Sequence, residues 1–295
     1  MQLEEILSEL ENNTGTFPRL ALERAIEERE AITPILLSTL ESWSNNLEEL
    51  SEKDDYILHI YALYVLAQFR ETLAYPLIVK FFSVPGEIAL DVTGDVVTED
   101  LGRILASVSQ ANIKPIKQLI ENSKVNEYIR GAALESLLVL VVQAVISREQ
   151  VIQYYAELFS STGKEESDYI WTKLVIHSAK LCAVELKEEI DRAFEEDLVE
   201  QFFISKKNVN DDLQVGTEAA LNKLRQNPRY SLIEDVISEM EDWACFQPEK
   251  PPTLDNRLIS PEGFTLSTPK QGKNKAKNKK KMQEQSRRKN RSKKK

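Results

Sequence analysis

Apolar residues recur every three or four positions through most of the first 246 residues. The pattern is clear in "LEEILSEL", "LALERAIEE", "YILHIYALYVLAQF", "YIRGAALESLLVLVV" and "LKEEIDRAFEEDLVEQFF". Such spacing puts the apolar side chains on one face of an α-helix. No stretch alternates convincingly between apolar and polar residues, and no Asn-Gly or Asp-Gly hairpin turn occurs. The chain is therefore predicted to be all-α.

Prolines that open helices recur at intervals of about forty residues. Pro34, Pro76 and Pro115 each precede large aliphatic residues, and they are 42 and 39 positions apart. Proline suits the first helical turn, because the N–H that it lacks would have no intrahelical acceptor there. Thr33 is the expected N-cap of the helix at Pro34.

A second recurring feature is an acidic residue followed by Tyr-Ile, at Asp55, Glu127 and Asp168. The acid favours a helix N-terminus, and Tyr and Ile begin the apolar face. The first gap of 72 residues is nearly twice the second gap of 41, so it should contain one more member. "TEDLGRIL", which begins at Thr98, lies near the middle of that gap.

These repeats predict helix pairs that stack side by side into a HEAT-like α-α superhelix, a solenoid. A first helix over residues 2–11 would cap the stack, and at least two more helices would follow the last pair up to Phe246. The helical repeat domain is predicted over residues 1–246, a Pro/Ser/Thr-rich linker over 247–269 and a disordered basic tail over 270–295. The five pairs are predicted near residues 18–46, 54–83, 97–123, 126–161 and 167–197.

The stretch "GDVVTEDLGRIL" concentrates the polar residues of an otherwise apolar region. The simpler interpretation is a helix start, with Thr98 as its cap and an exposed i, i+4 ion pair between Glu99 and Arg103. The alternative is a partner-binding patch, made of Asp95, Thr98, Glu99, Asp100 and Arg103.

Charge is strongly segregated along the chain. Residues 270–295 contain 14 Lys or Arg and a single acid, Glu284, for a net charge of +13. Since the whole chain carries −10, the first 269 residues carry −23. Such a tail can contact RNA, the ribosome or another polyanion without shape specificity, or it can only solubilise the protein or fold back on the acidic body. The candidate polyanion-binding residues are Lys279, Lys280, Lys281, Arg287, Arg288, Lys289, Arg291, Lys293, Lys294 and Lys295.

Motifs of catalysis are missing from the sequence. It has no glycine-rich phosphate loop and no Gly-x-Ser-x-Gly elbow. His59 and His177, the only histidines, lack metal-ligand spacing and are expected on helix flanks with partly buried rings. Cys182 and Cys245 are expected to be buried small hydrophobes. No enzyme activity, cofactor or metal is predicted.

The longest apolar run and the cysteine content suggest the compartment. Residues 137–146 form an apolar run of ten interrupted by Gln143, whereas a membrane span needs about 20 residues. Two cysteines 63 positions apart argue against a disulfide framework. A cytoplasmic protein without a membrane span is predicted.

The segment "GDVVTEDLGRILAS" and its setting resemble the bacterial domain-of-unknown-function family number 1186, common in cyanobacteria, over roughly residues 15–245. Ala74, Pro76 and the two aliphatic residues that follow are similar to the second helix of a HEAT-type repeat, and "YIRGAALESL" is similar to a first helix. The resemblance implies a HEAT-like superhelix and no established activity. Some relatives end in a cysteine-rich zinc knuckle, which this chain lacks because no cysteine follows Cys245.

Two classes of function remain in competition. The preferred hypothesis is a non-enzymatic scaffold that binds an unknown protein on the concave face of the solenoid, with the tail contacting RNA or ribosomes. The alternative is an enzyme-associated HEAT-like protein such as a phycobilin-lyase-like factor. A DNA glycosylase of HEAT-like architecture would need a basic groove, which the acidic body disfavours.

Overall fold

The computed structural model describes residues 2–247, and this part of the chain is all-helical, as predicted. It contains no β-strand, only isolated bridges such as that between Asn12 and Tyr56. The α-helices are α1 Leu3–Glu11, α2 Arg19–Glu27, α3 Arg29–Trp43, α4 Leu47–Ser51, α5 Leu58–Gln68, α6 Ala74–Phe82, α7 Ile88–Thr93, α8 Val96–Glu99, α9 Leu101–Val108, α10 Lys114–Glu121, α11 Glu127–Val142, α12 Arg148–Ser161, α13 Asp168–Lys180, α14 Lys187–Glu195, α15 Lys206–Leu213, α16 Thr217–Arg225 and α17 Val236–Met240.

The predicted pairs correspond to α2 with α3, α5 with α6, α9 with α10, α11 with α12, and α13 with α14. Helix α1 is the predicted first helix, and α15, α16 and α17 are the helices expected after the last pair. The short helices α4, α7 and α8 were not predicted, because they are too short for an apolar period to emerge. The linker over 247–269 and the tail over 270–295 lie outside the described residues, except for Gln247.

Proline positions follow the prediction only in part. Pro115 is the second residue of α10, as expected, and Pro76 is the third residue of α6. Pro34, however, lies inside α3, which begins five residues earlier at Arg29. Thr33 is not an N-cap, since its hydroxyl donates to the Arg29 carbonyl at 2.7 Å within the helix. The proline leaves one carbonyl of α3 without its helical donor.

The helix pairs contact one another in chain order. The first helices form a row in which α5 packs on α9, α9 on α11, and α11 on α13. The second helix of a pair contacts the next pair: α3 touches both α5 and α6, and α6 touches both α9 and α10. Two glycines permit close approach within the row. A Cβ on Gly102 would lie 3.0 Å from the Ala132 carbonyl oxygen, and one on Gly131 would lie 2.7 Å from the Tyr169 ring.

Three of the first helices end in the same Schellman motif. Arg70, Ala144 and Cys182 follow α5, α11 and α13, and each adopts a left-handed conformation with φ of 56°, 56° and 53°. In each motif the next residue's N–H donates to the carbonyl five positions earlier. A non-glycine residue in this conformation costs about 1 kcal/mol. The same motif also ends α14, where Asp197 has a φ of 56° and the Leu198 N–H donates to the Ala193 carbonyl.

Residues 228–247, here termed the C-terminal strap, return along the row of first helices. Tyr230 accepts a hydrogen bond from Gln143 at the end of α11, and the Ile233 N–H donates to Ser107 on α9 at 3.0 Å. The Val236 N–H donates to Gln68, the last residue of α5, at 2.7 Å. Apolar anchors hold the strap in the core, since Ile233, Val236 and Met240 are completely buried and Tyr230 nearly so.

Candidate functional site

The segment "GDVVTEDLGRIL" forms two helices rather than one. Helix α8 ends at Glu99, and Asp100 occupies the N-cap position of α9, although its side chain does not cap the helix. Thr98 lies within α8 and its hydroxyl donates to the Asp95 carbonyl at 3.2 Å, so the predicted cap at Thr98 is wrong. Valines 96 and 97 are buried, and burying them requires the chain to turn before α9 begins.

Arg103 is buried, which contradicts its predicted place in an exposed ion pair with Glu99. Its guanidinium donates to the Ser231 carbonyl at 3.0 Å, to the Ser231 hydroxyl at 2.9 Å and to the Leu232 carbonyl at 3.3 Å. It also donates to both Glu239 carboxylate oxygens, at 2.7 and 2.5 Å, and to Asp100 at 2.9 Å. All of these acceptors except Asp100 belong to the C-terminal strap. Arg103 is therefore the clamp that fixes the strap to α9.

Electrostatics reinforce the clamp. Burial lowers the pKa of Arg103, but the hydrogen bonds and charges of Glu239 and Asp100 outweigh burial and leave the pKa above its ordinary value. Tyr64 donates from its hydroxyl to the other Asp100 oxygen at 2.6 Å. Burial, and then the negative charge of Asp100, raise the pKa of Tyr64, so its hydroxyl stays a donor.

An acidic pocket of about 520 Å³ adjoins the clamp. Three of the five residues predicted to form a partner-binding patch, Asp95, Glu99 and Asp100, line it together. Trp243 of the strap forms part of the wall and packs edge-on against Tyr64, with ring centroids 5.6 Å apart. The remaining lining residues are Thr93, Val96, Ala244 and Cys245.

The five predicted patch residues thus have different environments. Asp95, Glu99 and Asp100 face one pocket, and Glu99 is the most open, with 65% of its side chain exposed and Arg229 at 3.9 Å. Thr98 does not line the pocket, and its carbonyl accepts a hydrogen bond from Arg229 at 3.0 Å. Arg103 lies beneath the strap.

The strap residues of this site were missed from the sequence. Ser231, Glu239 and Trp243 lie 128 or more positions after Arg103 and carry no repeat pattern. The only available signal was a short apolar run, "SLIEDVISEM", which predicts a helix but not its location. Contacts of this separation have no signature in local spacing.

Both histidines are buried more deeply than predicted. His59 is 3% exposed, stacks between Tyr56 and Phe81, and shares a hydrogen bond with the Val92 carbonyl at 2.9 Å. Burial lowers its pKa to about 4, so its ring is neutral at physiological pH. His177 is 1% exposed and its pKa is lowered well below the ordinary value, first by burial.

One of the two cysteines is buried and the other is exposed. Cys182 is buried as predicted, but Cys245 is exposed because it lies near the end of the strap, at the pocket wall.

Among residues 2–247, no group of three or more His, Cys, Asp or Glu could hold a metal ion. No helix in this same range is long and apolar enough to cross a membrane. The candidate tail residues, from Lys279 to Lys295, lie outside the described part of the chain.

The described part of the chain is thus all-helical, with α5, α9, α11 and α13 packed in a row and the C-terminal strap lying along part of it. The chain belongs to the family described as "Protein of unknown function (DUF1186)", which matches residues 1–247. The family resemblance noted from "GDVVTEDLGRILAS" is thereby confirmed.

Two relatives, each named "Uncharacterized protein", come from Chlamydia. The protein of Chlamydia trachomatis serovar D is 38% identical over 244 residues, which cover 82% of this chain and 96% of the relative. That of Chlamydia muridarum is 39% identical over 245 residues, covering 82% and 97%. Since so little of either relative is left unaligned, neither has a further segment as long as residues 248–295. No solved structure matches the chain.

Proposed function

We propose that this protein is a non-enzymatic scaffold, a HEAT-like solenoid whose acidic pocket binds a basic side chain of a partner protein. The order of contacts along α5, α9, α11 and α13 supports the solenoid. The concave face of the stack stays the docking place predicted from the sequence, and we propose a more specific one. The strap already lies across α5, α9 and α11, so the pocket at its edge is the better candidate.

One observation carries this proposal: Asp95, Glu99 and Asp100 converge on a single pocket that has an aromatic wall. Carboxylates attract a Lys or Arg side chain, and an indole such as that of Trp243 adds about 0.5–2 kcal/mol by a cation–π interaction. Tyr64 and Arg103 hold Asp100 in place, so the pocket is already formed before a partner binds.

A binding experiment with matched charge reversals tests the pocket. The full chain is titrated against an array of fluorescent peptides that carry one Lys or Arg in a neutral sequence. For the peptides that bind, Glu99→Lys should weaken the affinity by about tenfold or more, as expected for a lost close charge pair. Glu195→Lys on α14 is the control, because Glu195 is 73% exposed and lies 4.0 Å from Lys206, much as Glu99 lies near Arg229.

Two results would contradict the pocket. Equal weakening by Glu99→Lys and Glu195→Lys would show only general attraction to the acidic body. Binding of no peptide in the array would remove the basic side chain as the ligand. Circular dichroism of both variants verifies that helix content is unchanged.

For the tail we propose contact with RNA, including ribosomal RNA. Support comes from the sequence alone: 14 cations with one acid in residues 270–295, attached to a body of net charge −23. Neither Chlamydia relative has a segment of comparable length beyond the alignment, so this contact would be an addition to the family's common part.

Deletion of residues 270–295 tests the tail. Full-length protein should bind single-stranded RNA with a log affinity that falls by about 0.7 per phosphate contact for each decade of salt. The shortened protein should lose this binding while its melting temperature stays almost unchanged. Equal RNA binding by both proteins would contradict the proposal and favour a solubilising tail. Cytoplasmic location and the phycobilin-lyase-like alternative stay predictions, because no described residue bears on either.

A further inference from the structure

A cluster of buried cations lies where α11, α13 and the C-terminal strap meet. Lys173, His177 and Lys180 are spaced i, i+4 and i+7 on α13, which places them on one face. Across from them, Glu135 comes from α11 and Arg229 from the strap. Of these residues only His177 is distinctive in the sequence, and Glu135 and Arg229 come from elements far from α13 along the chain.

Glu135 is the shared partner of this cluster. One of its carboxylate oxygens accepts from Arg229 Nε at 3.0 Å. The other lies 3.4 Å from Lys173 Nζ and 4.0 Å from His177 Nε2. Lys180 donates instead to the hydroxyl of Tyr230, which is neutral. Both oxygens of Glu135 are thus engaged, and Lys180 makes no ion pair with any carboxylate of residues 2–247.

The charges in the cluster do not balance. Lys173, Lys180 and Arg229 carry three positive charges, and Glu135 is the one carboxylate among the described residues in contact with more than one of them. Two other carboxylates lie at the edge of the cluster and attract one of its cations each. Glu99 is mostly exposed at 3.9 Å from Arg229, and Asp212 on α15 attracts Lys180 from a greater distance. Burying unpaired charges is costly, so proteins normally neutralise them.

Burial and mutual repulsion act together on these groups. Burial lowers the pKa of Lys173 and of Lys180, the charge of Glu135 partly offsets this by raising both, and the positive charge of Arg229 lowers both again. His177 feels the same cations and stays neutral. Its Nδ1 and the neighbouring Ser178 hydroxyl are buried without a hydrogen-bond partner. The carboxylates in direct contact with the cluster therefore do not balance its buried cations, and one anion would supply the missing negative charge.

We propose that Lys173, Lys180 and Arg229 bind a small oxyanion, a phosphate or carboxylate group of a ligand. Arg229 is the more open part of the cluster, since its side chain is 40% exposed and that of Lys173 is 18% exposed. Guanidinium and ammonium groups are the donors that favour such a group. Arg229 already donates to Glu135 and to the Thr98 carbonyl, so it would contribute chiefly its charge. The site adjoins the acidic pocket through Glu99, which lies 3.9 Å from Arg229, but the two proposals name ligands of opposite charge, so their tests give independent results.

Calorimetry and thermal melting of the full chain test the site with two probes, inorganic phosphate and succinate, at constant ionic strength set by sodium chloride. Lys180→Met is the informative variant. It should weaken probe binding by about tenfold or more, because hydrogen bonds between charged groups are strong. Without probe it should leave the melting temperature equal or higher, since it removes an unpaired buried charge.

Lys207→Met on α15 is the control, because Lys207 is an exposed lysine outside the cluster. Every variant keeps the basic tail, so any phosphate response of the tail is the same in all of them. Phosphate-selective stabilisation would assign a phosphate ligand, and succinate-selective stabilisation a carboxylate ligand. The proposal is overturned if neither probe stabilises the protein beyond chloride, or if Lys207→Met loses the response equally. A lower melting temperature of Lys180→Met with an unchanged probe response would also overturn it, because it would show a purely structural lysine.

Discussion

Replacing Arg103 by methionine should loosen the C-terminal strap. Methionine keeps much of the side-chain volume but removes every hydrogen bond that the guanidinium makes to Ser231, Leu232 and Glu239. It also leaves two carboxylates without their cation. The side chains of Asp100 and Glu239 are only 16% and 23% exposed, so water cannot fully replace the guanidinium.

The size of the effect follows from this burial. Removing one partner of a buried ion pair costs about 3–5 kcal/mol, because the remaining charge is left uncompensated. A domain is typically stable by about 5–15 kcal/mol, so Arg103→Met should remove a large part of the free energy of unfolding. In the Arg103→Met background, Glu239→Gln should lower the free energy of unfolding by less than it does in the wild-type protein, because Glu239 then has no cation to lose.

Urea unfolding, followed by far-UV circular dichroism, measures the free energy of unfolding of each variant. Arg24→Met is a suitable control, since Arg24 forms its ion pairs on the protein surface with Glu27, in the same helix, and with Glu28, the residue that follows it. That change should alter stability by less than about 0.5 kcal/mol. Hydrogen exchange should show early loss of protection at the Ile233 and Val236 N–H groups, whose acceptors are side chains of the row.

Two outcomes would refute the clamp. A loss below about 1 kcal/mol for Arg103→Met would place this residue among ordinary surface positions. Strict additivity of Arg103→Met and Glu239→Gln would show that the two side chains do not interact in solution, whatever the size of either effect.

Three further predictions concern packing, backbone strain and pH. Gly131→Ala should destabilise by about 1–2 kcal/mol in urea, because its Cβ would lie 2.7 Å from the Tyr169 ring, and an unchanged midpoint would contradict this close packing. Ala144→Gly should instead raise stability by about 1 kcal/mol, measured by thermal melting, because Ala144 is exposed at a φ of 56°. The hydrogen bonds of Arg148 hold the pKa of Glu185 below its ordinary value. Its stabilising contribution is therefore complete above the unfolded-state pKa and is lost as pH falls through the lower folded-state pKa, so Glu185→Gln should flatten the acid limb of the stability curve.

Local spacing predicted the helix pairs because each helix carries its own apolar stripe. Helices α11 and α13 begin at Glu127 and Asp168, as expected from the acid–Tyr–Ile pattern. The same pattern failed at Asp55, where α5 begins only at Leu58 because the Tyr56 backbone pairs with Asn12. The proline spacing failed at Pro34, whose helix starts more than a full turn earlier, at Arg29. Tertiary contacts shift the ends of helices but not their existence.

The candidate site was less predictable. Asp100 and Arg103 were singled out as polar residues in an apolar setting, and both belong to the site. Their roles depend on Glu239 and Ser231, which fold back across more than 120 positions, so no spacing within "TEDLGRIL" could reveal them. Arg103, expected in a surface ion pair, is instead buried against the C-terminal strap through these long-range contacts.

The strap also sets a limit on how this protein can evolve. In an open array, a repeat can be gained or lost because each unit depends only on its neighbours. Here one continuous segment reaches from Gln143 back to Arg19 on α2, which pairs with Glu241. An inserted pair of helices would demand a longer strap at the same time. The number of helix pairs is therefore tied to the length of the C-terminal strap.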